Sequence, residues 1–122
     1  MILIVEDEAF IAFELEQSLK DEGFTVVTTW SFEAAIPIVE SGLLQLAIVD
    51  MMLPSIADGA AVARSLMDRG VPVLVHTALS RQRAEEALGD VVPTALFQKP
   101  ASIGRIVQAV RTALGEPKAG CV

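Results

Sequence analysis

The most constraining feature of this 122-residue sequence is a regular alternation of short apolar runs with longer amphipathic segments. Five runs have the length and composition of buried strands. They occupy residues 1–5, 25–29, 46–49, 73–76 and 95–98. A segment with helical spacing of apolar residues follows each run, and this alternation favours βα units. The sequence therefore predicts an α/β domain with a doubly wound parallel sheet of five strands and helices on both faces.

Capping and breaking residues indicate where the helices begin and end. The first helix is expected over residues 9–21, with Gly23 just beyond its end. Side chains suited to N-capping precede the other four helices, namely Ser31, Asp58, Ser80 and Ser102. Pro37 lies inside the second helix, which should therefore be bent or short. We expect a loop over residues 51–58, a domain over residues 1–114 and a flexible C-terminal tail over residues 115–122.

Composition limits the cellular setting that the sequence suggests. Hydrophobic residues make up 52% of the chain, enough for one well-filled core. No apolar run approaches the ~20 residues that cross a bilayer. A first strand starting at Ile2 would leave no room for a signal peptide. The single cysteine, Cys121, cannot form an internal disulfide and is interpreted as an inert thiol. These features lead us to expect a cytoplasmic protein.

The formal net charge of −7 argues against two classes of partner. Nucleic-acid-binding domains concentrate positive charge on one face, and this chain is acidic. An acidic chain is also repelled by anionic membrane surfaces. We therefore expect no nucleic-acid and no membrane partner, whereas the acidity suits a site that holds a divalent cation.

Polar side chains follow four of the five predicted strands. Glu6 and Asp7 follow the first strand, Asp50 the third, Thr77 the fourth and Lys99 the fifth. In a doubly wound sheet, ligands bind beyond the carboxyl ends of the strands. We therefore expect these side chains to meet at one edge of the sheet.

The chemistry of this set suggests phosphoryl transfer. Clustered carboxylates repel one another unless a cation lies among them, and Mg²⁺ prefers oxygen ligands. A carboxylate can act as a nucleophile and form an acyl phosphate. Transfer of a phosphoryl group then needs positioning and charge neutralisation, which Lys99 and the hydroxyl of Thr77 can supply. Asp50 considered alone would be interpreted as an ordinary loop or capping aspartate.

Four segments together resemble the receiver domains of response regulators. Residues 2–8 (ILIVEDE) are similar to the first strand and acidic pair, and residues 47–54 (AIVDMMLP) to the phosphoacceptor segment. Residues 73–78 (VLVHTA) are similar to the fourth strand with its switch hydroxyl, and residues 97–100 (FQKP) to the fifth strand with its Lys-Pro pair. The resemblance covers residues 1–114 and implies a flavodoxin-like strand order of 2-1-3-4-5.

The resemblance implies a role for each matching residue at the metal and phosphoryl sites. Asp50 matches the phosphorylated aspartate, which also binds the metal. Asp7 matches a direct Mg²⁺ ligand, and Glu6 matches a neighbour that more often holds a metal-bound water. The third protein ligand of the family is a backbone carbonyl, which falls on Met52 here.

The same resemblance implies how the domain switches and what it contacts. Thr77 matches the hydroxyl that moves to bond the phosphoryl oxygen, and Lys99 matches the phosphate-binding lysine, which precedes a cis Pro100. The implied donor is a sensor histidine kinase or a histidine phosphotransferase. The implied output is a downstream protein bound by the face of helix four, strand five and helix five. With no output domain in this sequence, we expect a stand-alone module and no separate substrate turnover.

Three departures from the family pattern bear on output. The loop from Asp50 to Gly59 is one residue longer than the usual form, so the start of helix three is expected to shift. Leu96 occupies the position of a common switching aromatic, and Phe97 beside it should face the other side of the sheet. Ala101 replaces a residue that is commonly aromatic.

Other readings of the sequence stay open. One alternative is a degenerate receiver that binds partners without phosphate, and a less favoured one is a Mg²⁺-dependent aspartyl phosphatase. A flavodoxin-like cofactor binder is disfavoured because the acidic stretch 6–8 would repel phosphate. His76 is interpreted as structural because it alternates away from Thr77. Phe10 and Phe13 are either scattered surface hydrophobes or a docking patch for the phosphate donor.

Overall fold

The computed structural model describes residues 1–52 and 56–116, without the side chains of residues 56 and 57. In this part of the chain, strands and helices alternate from end to end. The elements are β1 (Ile2–Val5), α1 (Ala9–Asp21), β2 (Val26–Thr29), α2 (Phe32–Glu40), β3 (Leu46–Val49), α3 (Ile56–Asp68), β4 (Val73–Thr77), α4 (Arg81–Leu88), β5 (Ala95–Gln98) and α5 (Ile103–Leu114).

The five strands form one parallel sheet in the order β2-β1-β3-β4-β5. β1 lies between β2 and β3, with Val5 in register with both Thr29 and Val49. The chain therefore reverses its direction of winding at β1, and the carboxyl ends of β1 and β3 are neighbours at this switch point. The predicted fold class and strand order are confirmed.

Helices cover both faces of the sheet because the strand side chains alternate between two apolar layers. One layer packs Leu3 and Val5 against α2, α3 and α4. The other packs Ile2 and Ile4 against α1 and α5. Residues of β1, β3 and β4 are nearly all inaccessible to solvent, as expected for central parallel strands covered on both sides.

Most predicted helix boundaries are confirmed, and one is wrong. The hydroxyls of Ser31, Ser80 and Ser102 each accept a hydrogen bond from the amide three residues later, at 3.1, 3.2 and 3.4 Å. Asp58 does not cap α3, because that helix already begins at Ile56 and Asp58 lies in its first turn. An acid in the first turn still favours the positive end of the helix dipole. The expected loop over residues 51–58 is therefore shorter, and residues 53–55 lie outside the described residues.

The remaining differences are small. β4 extends one residue further than expected and includes Thr77, while β1 and β2 each begin one residue later. Pro37 lies within α2, which is short at 9 residues, as predicted. The predicted tail falls largely on residues 117–122, which lie outside the described residues. Within the described ranges, no helix is both long and apolar enough to span a bilayer.

Candidate functional site

The residues that follow β1 and β3 are held in place by backbone hydrogen bonds that continue the sheet. The amide of Glu6 donates to the carbonyl of Thr29 at 3.0 Å, and the amide of Asp50 donates to the carbonyl of Val5 at 3.0 Å. Each acid therefore leaves a fully buried strand at a defined position. A site supported in this way is positioned more precisely than one on a free loop.

Three carboxylates meet at this edge of the sheet. One oxygen from each of Glu6, Asp7 and Asp50 lies within 4.8 Å of the others. Glu6 and Asp50 are almost completely buried, at 2% and 6% exposure, whereas Asp7 is open to solvent. Three hard oxygen donors with one open side suit a divalent cation that keeps several waters. The donor set therefore fits Mg²⁺.

Lys99 joins the two buried carboxylates. Its Nζ lies 2.9 Å from Oε1 of Glu6 and 2.9 Å from Oδ2 of Asp50. Oε1 of Glu8 is a third acidic neighbour at 3.9 Å. The lysine side chain is only 11% exposed, so the charges interact with little screening by water. Lys99 balances part of the negative charge of these carboxylates. Without it, the acids would repel one another or take up protons.

The pKa values of this pair follow from burial and hydrogen bonding. Burial raises the pKa of Glu6 above its ordinary value, although the hydrogen bond from Lys99 and the amide of Glu8 oppose the change. Burial alone would lower the pKa of Lys99, but its bonds to Glu6 and Asp50 outweigh burial and raise it. Lys99 is therefore a permanent cation at neutral pH.

Asp50 has a second contact on its other oxygen. The amide of Met52 donates a 3.0 Å hydrogen bond to Oδ1, so the two oxygens of Asp50 have different partners. Sequence reasoning singled out the carbonyl of Met52 and missed its amide. An aspartate that accepts a bond from an amide two residues on is common turn chemistry, and this local signal was available. The carbonyl as a metal ligand stays a prediction.

Thr77 is fully buried at the end of β4. Its Oγ1 accepts a 3.3 Å hydrogen bond from the amide of Leu79, and its carbonyl accepts a 2.7 Å bond from the amide of Lys99. The backbone therefore links Thr77 to Lys99, while the hydroxyl faces the turn that leads into α4. Its movement toward a phosphoryl group stays a prediction. The Lys99–Pro100 bond is cis, as the resemblance implied.

The sequence did not predict the contacts that two residues near the site make. Glu8 precedes α1 as its N-cap residue and approaches Lys99. Trp30, the single tryptophan, is 66% exposed and lines a pocket with Asp7 and Asp58. No periodicity indicates either contact, because each joins residues from separate βα units.

The departures from the family pattern have clear positions. Leu96 is buried in the layer with α2, α3 and α4, whereas Phe97 packs in the layer with α1 and α5, so the two side chains do face opposite sides.

Phe10 and Phe13 are 74% and 60% exposed on α1, away from its buried stripe. His76 is 3% exposed and belongs to the α1 and α5 side.

A doubly wound parallel sheet with a carboxylate cluster and a buried lysine at the carboxyl ends of its strands defines a class of protein. That class is the α/β signalling domain of the receiver type. The chain belongs to the response regulator receiver domain family, whose model matches residues 2–111. It is accordingly a module of two-component signalling. Phosphorylation of an aspartate with the help of Mg²⁺ is general to that family.

Curated relatives are longer than this chain. It is 30% identical over 115 residues to the transcriptional regulatory protein PdtaR of Mycobacterium tuberculosis, with 93% of this chain and 56% of that protein covered. It is 32% identical over 114 residues to the response regulator ArlR of Staphylococcus aureus, with 93% and 52% covered. The chain thus spans about half the length of these relatives.

Two solved structures have the same architecture over nearly their whole length. The N-terminal domain of a response regulator/sensory box/GGDEF 3-domain protein from Carboxydothermus hydrogenoformans is 30% identical, with a TM-score of 0.80 and coverage of 93% of this chain and 92% of that one. A response regulator receiver protein from Sinorhizobium medicae is 26% identical, with a TM-score of 0.80 and coverage of 93% and 92%.

Proposed function

We propose that this chain accepts a phosphoryl group on Asp50 in a Mg²⁺-dependent reaction and signals through the resulting conformational change. The observation that carries the proposal is the position of Lys99, whose Nζ lies 2.9 Å from both Asp50 and Glu6 while Asp7 completes the carboxylate cluster. A nucleophilic carboxylate, a fixed cation and a set of metal-binding oxygens are thereby within reach of one another.

The proposed reaction uses these groups in defined ways. A carboxylate oxygen of Asp50 attacks the phosphorus of a donor phosphohistidine, and the phosphorus–nitrogen bond breaks with its electron pair going to the imidazole, which takes up a proton. A Mg²⁺ ion held by Glu6, Asp7, Asp50 and the Met52 carbonyl would neutralise charge on the transferred group. Lys99 pairs with a phosphoryl oxygen, and the hydroxyl of Thr77 donates to another.

Phosphorylation would change the contacts of Lys99 and Thr77, and thereby the start of α4. The added charge of about −1.5 to −2 is the local event that biases this turn. The Leu79 amide donates a hydrogen bond to the Thr77 hydroxyl, and a hydroxyl that moved to a phosphoryl oxygen would lose this bond at the turn into α4. With Leu96 in place of an aromatic, the proposed signal passes through this turn to the face of α4, β5 and α5.

The proposed setting follows from the family and the charge. A sensor histidine kinase or histidine phosphotransferase would be the donor, and a downstream protein would bind the output face. We further propose a receiver spanning residues 1–114, followed by a short tail, that acts in the cytoplasm without substrate turnover of its own. The degenerate receiver remains the competing function, since it would have the same fold.

Acetyl phosphate tests the proposal without a protein donor. We expect intact mass spectrometry to show one phosphoryl adduct after incubation of the wild-type chain with acetyl phosphate and Mg²⁺. The adduct should disappear in Asp50→Asn and in the presence of EDTA. Asp21→Asn, which removes an exposed acid at the end of α1, is the matched control and should be phosphorylated normally.

The other functions predict different results. A folded wild-type chain that gains no adduct under these conditions is a degenerate receiver. Continuous release of inorganic phosphate from varied phosphate esters, without an adduct on Asp50, would identify a phosphatase instead.

A further inference from the structure

A cleft of about 420 Å³ opens on the α1 and α5 side of the sheet, next to Lys99 but outside the carboxylate cluster. α1 contributes Ile11 and Glu14 to its wall, β4 contributes His76, and the turn between β5 and α5 contributes Ala101. The proposed phosphorylation chemistry uses none of these four residues. The cleft therefore needs an explanation of its own.

His76 is the unusual group in this cleft. Its side chain is 3% exposed, and neither Nδ1 nor Nε2 has a hydrogen-bond partner among the residues that the structure describes. Buried polar groups in folded proteins are nearly always hydrogen-bonded, so an imidazole with two unpaired nitrogens indicates a missing partner. Burial also lowers the pKa of His76 to about 4, with a smaller effect of the Lys99 charge. The ring is therefore neutral at pH 7 and offers one acceptor nitrogen.

The walls and the charges of the cleft restrict what can enter. Ile11, Ile103 and Pro100 supply apolar surface. Ala101 adds only a methyl group to the wall that it shares with His76. Glu8 and Glu14 also line the cleft, and Lys99, the cation among the described residues of its wall, is already paired with Glu6 and Asp50. A hydrogen-bond donor with positive charge and an apolar stem fits these conditions.

We propose that the cleft receives a long basic side chain, arginine above all, from a protein that docks on α1. The stem would pack on Ile11 and Ile103, and Glu14 would balance the charge. An N–H would donate to His76 once the side chains that cover its buried nitrogens move aside. Arginine is favoured over lysine because its fixed fork of donors can reach an imidazole and a carboxylate together. Phe10 lies one turn before Glu14 on the same side of α1 and is 74% exposed, so the apolar surface continues beyond the cleft.

This inference rests on the proposed function only in supposing a partner protein, and it can be tested without one. The probe is acetyl-arginine methylamide, which carries the side chain of a protein arginine, and its uncharged counterpart is acetyl-norleucine methylamide. His76 is the only histidine, so its ring gives a single set of NMR signals. At pH 7 and constant ionic strength, we expect saturable shifts of these signals with the arginine probe and none with the norleucine probe.

Two substitutions and one control make the result specific. Glu14→Gln should raise the dissociation constant about threefold or more, because one balancing charge is lost. Ala101→Phe should abolish the shifts by filling the cleft. Glu85→Gln, an exposed acid on α4, should bind as the wild type does. Amide signals as dispersed as those of the wild type in the same NMR spectra show that each variant is folded.

Several outcomes overturn the inference. They are no saturable shift in the wild type, equal shifts with the norleucine probe, and wild-type binding by Ala101→Phe. A wild type that binds the arginine probe but gains no phosphoryl adduct would contradict the proposed function. It would leave the cleft inference in place. The two failures are therefore distinguishable.

Discussion

At the scale of single residues, Lys99 has more contacts with acids than any role in phosphate binding alone requires. It pairs with Glu6 and Asp50 at the same 2.9 Å distance and approaches Glu8 at 3.9 Å. Both close partners are almost fully buried. Before any phosphate or metal arrives, this lysine is therefore the cation that allows two buried carboxylates to lie side by side.

We predict that Lys99→Met lowers the free energy of unfolding in EDTA by about 2–3 kcal/mol, because Glu6 and Asp50 are left without a partner. Lys20→Met, which breaks an exposed pair with Glu16, should cost at most about 0.5 kcal/mol. Mg²⁺ should restore more stability to Lys99→Met than it adds to the wild type. Urea denaturation of the three proteins with and without Mg²⁺ measures these differences, and equal losses in both variants would contradict the prediction.

His76 predicts a pH dependence of stability. Its pKa is about 4 in the folded chain and 6.5 when exposed, so the unfolded chain binds more protons between these values. Stability is therefore fully present above pH 6.5 and is lost as the pH falls toward 4, by about 2 kcal/mol from pH 7.5 to 5. The raised pKa of Glu6 has the opposite sign, lowering stability as the pH rises through its own range above 4.5.

The variant His76→Leu separates the two effects. The part of the pH dependence of the unfolding free energy that comes from His76 should disappear in the variant. The part that comes from Glu6 should be the same in both proteins. Urea denaturation at pH 5, 6 and 7.5 gives the difference between wild type and variant. A difference that does not depend on pH would show that the imidazole has the same pKa in the folded and the unfolded chain, and would contradict the prediction.

At the scale of elements, the contact between the first turn of α3 and the phosphoacceptor segment is unusually close. A Cβ built on Gly59 would lie 2.3 Å from the carbonyl oxygen of Met51 and 2.5 Å from its Cα. Met51 is fully buried and directly follows Asp50. The start of α3 therefore depends on a glycine that lets two backbones approach each other, and this requirement has no local sequence signal.

We predict that Gly59→Ala destabilises the domain by about 1–3 kcal/mol, because backbone atoms must move to admit the methyl group. The matched control is Gly104→Ala in the first turn of α5, where the nearest atom to a new Cβ is Ser102 Oγ at an ordinary 3.5 Å. That substitution should stabilise the domain by about 0.5–1 kcal/mol through helix propensity. Thermal unfolding of both variants checks the pair, and a stabilised Gly59→Ala would contradict the close approach.

At the scale of the whole molecule, the acids of separate βα units meet at one edge of an already acidic protein. The net charge is −7, and Glu6, Asp7 and Asp50 lie within reach of one ion. Binding of a divalent cation should therefore stabilise the folded state, since the unfolded chain does not bring these acids together.

We predict that 10 mM Mg²⁺ raises the thermal midpoint of the wild type by a few degrees more than sodium chloride of equal ionic strength. Asp7→Asn should remove this specific increase, because Asp7 is the solvent-facing member of the cluster. Asp21→Asn should keep it. Differential scanning calorimetry measures the shifts, and an equal response of Asp7→Asn and wild type would remove Asp7 from the metal site.

Local signals predicted the elements more accurately than the contacts between them. Serine caps set three helix starts within the described residues, and apolar runs set the strands to within about one residue. The prediction that Asp58 caps α3 was wrong because an acid suits both an N-cap and the first turn of a helix. The position of α3 becomes clear only from the packing of Gly59 on Met51.

The sequence by itself determined the order of strands and helices, the alternation that buries both faces of the sheet, and the polar residues that follow four of the five predicted strands. These features depend on the period of apolar residues and on capping, which act over a few neighbouring positions. Only the tertiary structure decided that Lys99 touches Glu6 and approaches Glu8, and that His76 faces a cleft without a partner among the described residues. Those contacts join residues from different βα units, and their distances follow from the packing of the whole sheet.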